Sequence, residues 1–504
     1  MASFFAALVF PIFLVLWMLW RLLNKGPQRG KLPPGPVSAP LVGNLFKLAG
    51  DCHPHRTLAG LAATYGSLMK LRLGQVTIVV VSSAAAAKEV LQKHDQSFAG
   101  RAVVDAVRAP GHEHASVVWL PPDQHWRRLR SLCNTCVFSS QRLDASQGLR
   151  CQKVGELLAH VNGCAASGKG VDVGKVAFAT ILNLISNTIF SVDMLHDVGS
   201  KTAEEFKALI DEIMEEAGKP NIVDYFPILR RVDPQGIRRR VTSFFAKLHE
   251  IFEKHIEERE VSRSRTPDYH RRNDFLDALL DQRENGVELS RFELRTLFLD
   301  LFVAGSDTNS VTIEWAMTEL LRNPISMARA RTELEEVMGE RKEVKESDIA
   351  RLPYLQAVVK ETLRLHPPAP FLIPHRAECD VEISGYTVPK HTKVIVNAWA
   401  IGRDGEVWEN PELFNPERFL GTSNVVNYKG QHFELIPFGA GRRICPGLPL
   451  AYRMVHLMLA SLLRSFSWEL PAGMAADDLD MREKFGITLQ KLTPLMAVPT
   501  RHHI

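Results

Sequence analysis

The sequence has few cysteines for its length and no excess of charge of one sign. Its 504 residues include 7 cysteines, an odd number spread from Cys52 to Cys445, which does not fit a disulfide framework. The 61 basic and 57 acidic residues leave a formal net charge of +4, too balanced for a nucleic-acid-binding protein. No internal repeat occurs at solenoid spacing. With 45% hydrophobic residues, the chain has ample material for a large globular core.

Two of the cysteines, Cys133 and Cys136, form a CxxC, a spacing found in metal and redox sites. No second cysteine pair or His-x-His partner follows, and no thioredoxin-like strand precedes it. We therefore interpret both as small apolar side chains within a helix.

Charge is also absent from the start of the chain. The segment from Ala2 to Trp20 is apolar and long enough to cross a bilayer as a helix. Arg21 and Lys25 follow at once, so the positive-inside rule places the rest of the chain in the cytosol. A cleaved signal peptide, the alternative, would carry its basic residues before the apolar run. We predict a single-pass transmembrane anchor over residues 1–24.

A basic, proline-rich stretch at residues 25–40 follows the predicted anchor. Its prolines cannot continue a helix, so it predicts a stiff tether. Residues 41–504 contain no break strong enough to separate domains, and we predict that they form one body.

Strand patterns occur near both ends of this body. Residues 68–81 alternate apolar and polar side chains around Gly74, and residues 381–400 repeat the pattern. Helical periodicity lies between and beyond them, at residues 84–95, 123–137, 146–165, 172–193, 202–217, 238–260, 290–322, 326–338, 347–365 and 446–466. The polar run from Glu257 to Asp274 predicts a surface loop. Together these patterns predict a mainly α fold with small β-sheets.

Cys445 lies in the stretch PFGAGRRICPG, Pro437 to Gly447, where a glycine-rich loop meets the start of a helix. Unpaired backbone N–H groups and the helix dipole favour an anion there, and a thiolate is such an anion. This stretch resembles the haem-binding loop of the cytochrome P450 monooxygenases. The resemblance implies that the Cys445 thiolate is the axial ligand of haem b iron. It also implies that Phe438 packs beside the sulfur, that Arg443 pairs with a haem propionate, and that the haem lies between this loop and a long central helix.

Three further motifs occur in the family's order. Glu361 and Arg364 share a helix face in an ExxR pattern, and Arg418 of NPERF matches the usual third partner. The resemblance implies a buried, structural cluster that holds the loop presenting Cys445. Trp126 and Arg130 match the family's WxxxR. With His375, they are expected to hold haem propionates.

The stretch LFVAGSDTNS lies in the predicted central helix. Ala304 and Thr308 face the same way, and a mid-helix Gly305 requires a local reason. The resemblance implies a widened helix turn over the haem, with Asp307 and Thr308 as the acid–alcohol pair that relays protons to dioxygen. Asn309 departs from the family's usual Thr or Ser, which affects the expected proton routing.

The family's substrate-contact regions correspond to residues 100–118, 301–308, 370–373 and 485–487. An apolar wall for a hydrocarbon-like substrate is expected from Phe371, Leu372, Ile373, Phe485 and Ile487. Ordinary core packing also predicts apolar residues there.

The finer resemblance is to plant enzymes that include geraniol and other terpenoid hydroxylases. It implies a monooxygenase of the endoplasmic reticulum membrane that hydroxylates a terpenoid with O2, using electrons from NADPH through a cytochrome P450 reductase. Arg127, Arg128 and Arg442 predict a basic docking face for that reductase. The alternatives are a phenylpropanoid or alkaloid-precursor substrate, an oxygen-independent isomerase or dehydratase of the same fold, and a non-catalytic haem- or lipid-binding protein.

Overall fold

A computed structural model describes residues 30–48, 53–195, 201–265, 269–284, 286, 289–421 and 426–501. The predicted anchor, residues 1–24, lies outside the described residues. Within them, one helix is long and apolar enough by length and composition to span a membrane, Val173–Phe190, and most of it is buried inside the fold.

Helices dominate the described chain. The α-helices are α1 Leu45–Leu48, α2 Pro54–Tyr65, α3 Ala84–Lys88, α4 Gln124–Cys133, α5 Ser140–Ala145, α6 Gln147–Ala166, α7 Val173–Phe190, α8 Lys201–Gly218, α9 Ile222–Tyr225, α10 Ile237–Arg265, α11 Phe275–Glu284, α12 Arg291–Arg322, α13 Pro324–Met338, α14 Pro353–Leu365, α15 Ala398–Ile401 and α16 Leu448–Ser465. Short π-helical turns, Glu89–Lys93 and Asn134–Phe138, continue α3 and α4.

The strands form four small sheets. They are β1 Leu68–Leu73, β2 Val76–Val81, β3 Gly100–Arg101, β4 Val171–Asp172, β5 His375–Arg376, β6 Val381–Ile383, β7 Tyr386–Val388, β8 Lys393–Val396, β9 Phe466–Glu469, β10 Glu483–Phe485, β11 Leu489–Lys491 and β12 Met496–Arg501. The largest sheet has the order β1-β2-β8-β5-β3. Within it β1 pairs antiparallel with β2, and β2 pairs parallel with β8.

The central helix α12 organises the core. It begins with a capping box, in which the Ser290 side chain accepts from the Glu293 N–H and the Glu293 side chain accepts from the Ser290 N–H. It then packs along α7 and contacts α14 and α16. These helices bury one large hydrophobic cluster, while two smaller clusters lie around the five-stranded sheet.

The structure confirms the predicted mainly α fold with small β-sheets and corrects one predicted loop. The run from Glu257 to Asp274 is helical as far as Arg265, because α10 keeps a buried face there through Ile256 and Arg259. The sequence patterns did not predict helices α2 and α11, nor the short helices α1, α5, α9 and α15. The six cysteines among the described residues are free, and Cys133 lies buried at the end of α4.

Candidate active site

The loop that presents Cys445 has a tightly defined backbone. A 3-10 turn at Gly441–Arg443 precedes the cysteine, the Cys445 N–H donates to the Phe438 carbonyl at 3.0 Å, and α16 begins at Leu448. Gly441 has φ +65°, and a Cβ there would lie 2.0 Å from the Leu91 carbonyl oxygen. Only glycine fits this position, because both the backbone angle and the close approach exclude a side chain.

The surroundings of the sulfur act on the thiol in opposite directions. Burial raises the pKa of Cys445, whereas the N–H groups of Gly447 and Leu448 and the Arg130 guanidinium lower it. A coordinating thiol is deprotonated outright by a bound metal cation. The backbone donors of the helix start therefore stand ready to stabilise a thiolate once a cation offsets the cost of burial.

A cationic cluster lies beside this loop. Arg443 donates from Nε to the Ala99 carbonyl at 2.8 Å and from Nη2 to the Leu120 carbonyl, and its guanidinium lies 4.3 Å from the Trp126 ring centroid. Its Nη1 is buried with no hydrogen-bond partner among the described residues. Arg130 donates to the Ile444 carbonyl at 2.6 Å, which fastens α4 to the cysteine loop.

Arg101, which no motif predicted, completes the cluster. Its Nη1 donates to the Ile373 carbonyl at 2.6 Å and lies 3.2 Å from His375 Nε2. His375 Nδ1 in turn donates to the Phe98 carbonyl at 2.6 Å, and burial together with Arg101 lowers the pKa of His375 to about 3. Sequence reasoning missed Arg101 because it is an isolated arginine brought to the site only by the β3–β5 pairing.

The charge of these three guanidinium groups is not balanced locally. Burial and the charges of Arg443 and Arg130 lower the pKa of Arg101 well below its usual range. Within the described ranges, Arg101, Arg130 and Arg443 form no ion pair with a carboxylate. Such a cluster favours a ligand that brings its own carboxylates.

One cavity connects these features. Its volume is about 340 Å3, and all eight residues predicted to contact haem line it, namely Trp126, Arg130, Ala304, Gly305, His375, Phe438, Arg443 and Cys445. Ala304 is exposed on the cavity side although its helix is central to the fold. An exposed stretch of α12 thus forms part of the cavity wall.

Three of the five residues predicted to form the substrate wall lie at the cavity. Leu372, Ile373 and Ile487 line the cavity. Phe371 and Phe485 do not, because they pack against the His55 ring of α2, at 6.5 and 5.7 Å between ring centroids. This arrangement is fixed by Glu483 Oε2, which lies 3.1 Å from His55 Nε2.

Asp307 and Thr308 are neighbours in sequence but face different surroundings. Thr308 lines the cavity, and its hydroxyl donates to the Ala304 carbonyl at 2.7 Å. Asp307 is fully buried on the other side, where it accepts from Thr488 Oγ1 at 2.5 Å and Gln490 Nε2 at 2.8 Å. Burial, with a smaller contribution from Asp211, raises the pKa of Asp307 to about 6. The pair therefore joins the cavity to a buried polar network.

The expected widened turn is not present in α12, which is described along its whole length as a continuous α-helix, Arg291–Arg322. Gly305 has another reason to be glycine. A Cβ there would lie 2.7 Å from Ile185 Cδ1 of α7, so the absence of a side chain allows the two helices to pack closely. Asn309 donates to the Gly305 carbonyl at 2.7 Å.

The predicted cluster of Glu361, Arg364 and Arg418 is present, with Glu361 and Arg364 buried and Arg418 half-buried. Glu361 accepts from Arg364 Nε at 2.7 Å and Nη2 at 2.8 Å, and from Arg418 Nε at 3.0 Å. Arg364 also donates to the carbonyls of Gly402 and Pro411. The cluster thus fastens the segment that leads to the cysteine loop rather than the loop itself.

Comparison with known proteins decides the family. A family model described as Cytochrome P450 matches residues 33–496. The chain belongs to the cytochrome P450 family. It is 53% identical over 490 residues to the geraniol 8-hydroxylase of Swertia mussotii, with 97% of each chain covered. It is 54% identical over 471 residues to the geraniol 8-hydroxylase of Catharanthus roseus, covering 93% of this chain and 94% of that relative.

A solved cytochrome P450 shares the fold of this one. The zebrafish cytochrome P450 solved with progesterone aligns with a TM-score of 0.74 at 28% identity, covering 89% of this chain and 99% of that structure. The relatives place this cytochrome P450 in the plant branch that includes geraniol 8-hydroxylases, which confirms the predicted branch and the predicted fold.

The residues of this P450 fit the haem that the family implies. Cys445, an arginine cluster suited to the two propionates, and the Ala304–Gly305 stretch of α12 all line the same cavity. The protein is thus a haem-dependent monooxygenase that uses O2 to oxidise a small molecule.

Proposed function

We propose that this cytochrome P450 hydroxylates a terpenoid with electrons supplied from NADPH through a cytochrome P450 reductase. The observation that carries the proposal is the apolar cavity beside Cys445, in a chain 53% identical to a geraniol 8-hydroxylase. Ile181, Ile185, Val303, Leu372 and Ile487 are among its apolar walls. A hydrocarbon-like substrate is therefore desolvated and confined there, while water is excluded.

In this proposal the Cys445 thiolate would ligate the haem iron, with Phe438 beside its sulfur. Arg130, Arg443 and His375, with Trp126 and Arg101, would hold the propionates, and Ala304 and Gly305 would leave room for the haem on the helix side of the cavity. Bound haem supplies the activation of oxygen. Glu361, Arg364 and Arg418 are structural, because removal of one partner would leave a buried charge unpaired.

Proton delivery is assigned to Thr308 and Asp307. The pKa of Asp307, raised to about 6, lies close to neutral, where a carboxyl exchanges protons most effectively. Gln490 contacts both Asp307 and Asp211, and Asp211 pairs with the partly exposed Lys207 at 2.8 Å. These groups offer a polar route from the surface to the central helix.

We propose that this P450 is bound to a membrane by its N-terminal segment. Residues 1–24 anchor the protein in the endoplasmic reticulum membrane, residues 25–40 form the tether, and residues 41–504 form the cytosolic catalytic domain. The reductase docks near Arg127, on the helix that Arg130 ties to the cysteine loop.

The test is a microsomal assay of the full chain with a plant reductase, NADPH and a panel of mono-, sesqui- and diterpenoids. We expect an NADPH-dependent hydroxylated product from at least one terpenoid. A competent thiolate-haem spectrum without product from any of them would reject the substrate class. Product formed without NADPH or reductase would reject monooxygenation.

A further inference from the structure

A second cavity shares no lining residue with the cavity beside Cys445. It is lined by Pro227, Ile228, Arg230, Arg231 and Arg238. The first four of these residues belong to one 3-10 turn, Pro227–Arg231, and Arg238 lies in the first turn of α10. The Arg238 guanidinium donates to the Arg230 carbonyl at 2.6 Å. The turn and the helix start therefore hold three arginine side chains around one space.

The charge of these three arginines favours an anion. Arg230 Nε and Arg238 Nη1 lie 3.3 and 3.4 Å from the same oxygen, Oδ1 of Asp105. Arg231 is exposed and takes part in no ion pair with another residue that the structure describes. One carboxylate thus compensates three guanidinium groups, whose planar N–H forks suit a phosphate. The dipole at the start of α10 adds to the attraction.

Apolar side chains beside the arginines indicate which kind of phosphate fits. Ile228 and Val232 are 81% and 69% exposed. Exposed apolar side chains among basic ones are typical of a surface that contacts anionic lipid, because the apolar groups enter the interface while the basic groups reach the phosphates. A free phosphate ion would leave both apolar side chains in water. The surface therefore fits the phosphate of a lipid.

Asp105 fastens this surface to another part of the chain. The residue is fully buried at the start of the 3-10 turn Asp105–Arg108, and its N–H donates to Asp224 Oδ1 at 2.7 Å. Its side chain forms the ion pairs with Arg230 and Arg238. We term these two ion pairs the Asp105 latch, because they join segments far apart in sequence.

The latch lies next to the wall of the cavity beside Cys445. Val107, two residues after Asp105, lines that cavity. Residues 219–236 join α8 to α10, and each of these helices also contributes to the wall, through Ala217 and Phe245. Movement of residues 219–236 away from Asp105 would therefore open one edge of the cavity.

Unsatisfied polar groups make the fastened arrangement less stable. Asp105 Oδ2, Asn221 Nδ2 and Asp233 Oδ1 are buried and have no hydrogen-bond partner among the described residues. Water would satisfy these atoms once the segment moved away, and a buried polar group without a partner is costly. The free-energy difference between the fastened and the released segment is thereby reduced.

We propose that Arg230, Arg231 and Arg238 bind the phosphate group of an anionic lipid, and that this binding releases the Asp105 latch. The phosphate replaces the Asp105 carboxylate as the counterion of Arg230 and Arg238. Residues 219–236 then move more freely, and apolar ligands enter the cavity faster on an anionic membrane than on a neutral one. This inference goes beyond terpenoid hydroxylation, since it concerns any ligand of the cavity.

Entry of a bulky azole tests the proposal without a substrate or a reductase. The full-length, haem-loaded protein is placed in nanodiscs of phosphatidylcholine, with or without phosphatidic acid, and stopped-flow absorbance follows the binding of clotrimazole to the haem. We expect entry to be about three- to fivefold faster with phosphatidic acid, which is the factor that an ion pair of partly exposed arginines contributes. Equal rates in the two kinds of nanodisc would overturn the proposal.

Two variants separate the phosphate site from the latch. Arg231→Gln weakens the site and leaves both ion pairs of Asp105 in place, so entry should stay slow in both kinds of nanodisc. Asp105→Asn removes the charge that holds Arg230 and Arg238, so entry should be fast in both. Lys254→Gln, which removes an exposed charge elsewhere on α10, is the matched control and should respond to phosphatidic acid as the unmodified protein does. An equal loss of response in Lys254→Gln and Arg231→Gln would overturn the site.

Inorganic phosphate distinguishes the two sources of the anion. Added to the phosphatidylcholine nanodiscs, it should leave the rate unchanged, and an acceleration equal to that by phosphatidic acid would overturn the lipid as the ligand. The comparison of nanodiscs on the unmodified protein decides the proposal even where a variant fails to fold. Clotrimazole entry does not depend on turnover, so failure of the terpenoid assay would reject the proposed function and not this inference.

Discussion

Cys445 and Cys133 show how burial and local donors decide what a thiol does. Burial, with a smaller contribution from the nearby Asp300, raises the pKa of Cys133 to about 12, so this residue behaves as a small apolar side chain. At Cys445, burial also raises the pKa, but two backbone N–H groups and the Arg130 guanidinium lower it. The difference lies in the loop and not in the residue type.

We therefore expect Cys445→Ser to abolish turnover and to remove the long-wavelength Soret band of the reduced, carbon monoxide-bound protein. The hydroxyl group is a poor anionic ligand, whereas the fold depends little on one sulfur atom. The matched control is Cys379→Ser, since Cys379 is exposed and contacts Ser97 away from the cavity. The band should persist in that variant. A retained band in Cys445→Ser would contradict the ligand assignment.

Asp307 leads to a prediction about pH. Its pKa is raised from 3.8 to about 6 in the folded protein, so the folded state binds this proton more tightly than the unfolded state does. This difference in pKa adds about 3 kcal/mol to the free energy of unfolding when the pH is below about 4. The added stability is lost as the pH rises through about 6.

The Asp307→Asn variant has no titratable group at this position, so its stability lacks this pH dependence. Relative to the variant, the unmodified protein should lose about 1 kcal/mol in free energy of unfolding between about pH 5 and pH 7.5. Urea unfolding at the two pH values provides the measurement. Two stability profiles that run parallel across this range would show that Asp307 does not titrate as described.

At the scale of elements, the central contact is the packing of α12 on α7. Gly305→Ala should gain about 1 kcal/mol in helix propensity but lose about 1–3 kcal/mol through overpacking against Ile185, because the new Cβ would lie 2.7 Å from Cδ1. We expect a net loss in thermal stability. Adding Ile185→Val, which removes that Cδ1 atom, should recover most of it.

Gly155 in α6 offers the matched control for that substitution. A Cβ there meets nothing within 4 Å, so Gly155→Ala should raise the melting temperature through helix propensity alone. If Gly305→Ala were equally stabilising, the close packing of the two helices would not be the reason for the glycine.

Helix and strand geometry explains which parts of the site could be predicted from the sequence. Motifs whose chemistry depends on short spacing, such as Glu361 with Arg364, were predicted with their partners because one helix turn fixes the geometry. Arg101 was not predicted, because only the pairing of β3 with β5 brings it close to His375 and Arg443. Phe485 was misplaced for a related reason: the direction of a side chain on a short strand is set by distant contacts, here with His55.

On the scale of the whole molecule, the structure narrows the predicted reductase-docking face. Arg128 already pairs with Glu293 at 3.1 Å, and Arg442 with Asp95 at 3.2 Å, so much of their charge is compensated. Arg127 is exposed on α4, the helix that also carries Arg128. Arg130 of this helix donates to the Ile444 carbonyl and so fastens α4 to the cysteine loop. Arg127 is therefore the residue of the three best placed to attract an acidic partner.

We expect Arg127→Glu to slow the first electron transfer from the reductase several-fold at low ionic strength, with the difference shrinking as salt screens the charges. Stopped-flow reduction under carbon monoxide measures this rate, and the carbon monoxide spectrum verifies that haem remains bound. Lys254→Glu, an exposed charge reversal on α10, is the control with the same change in net charge. Equal slowing by the two variants would indicate a general effect of net charge, and no slowing by Arg127→Glu would exclude this face, because an electrostatically steered encounter depends on where the charge lies.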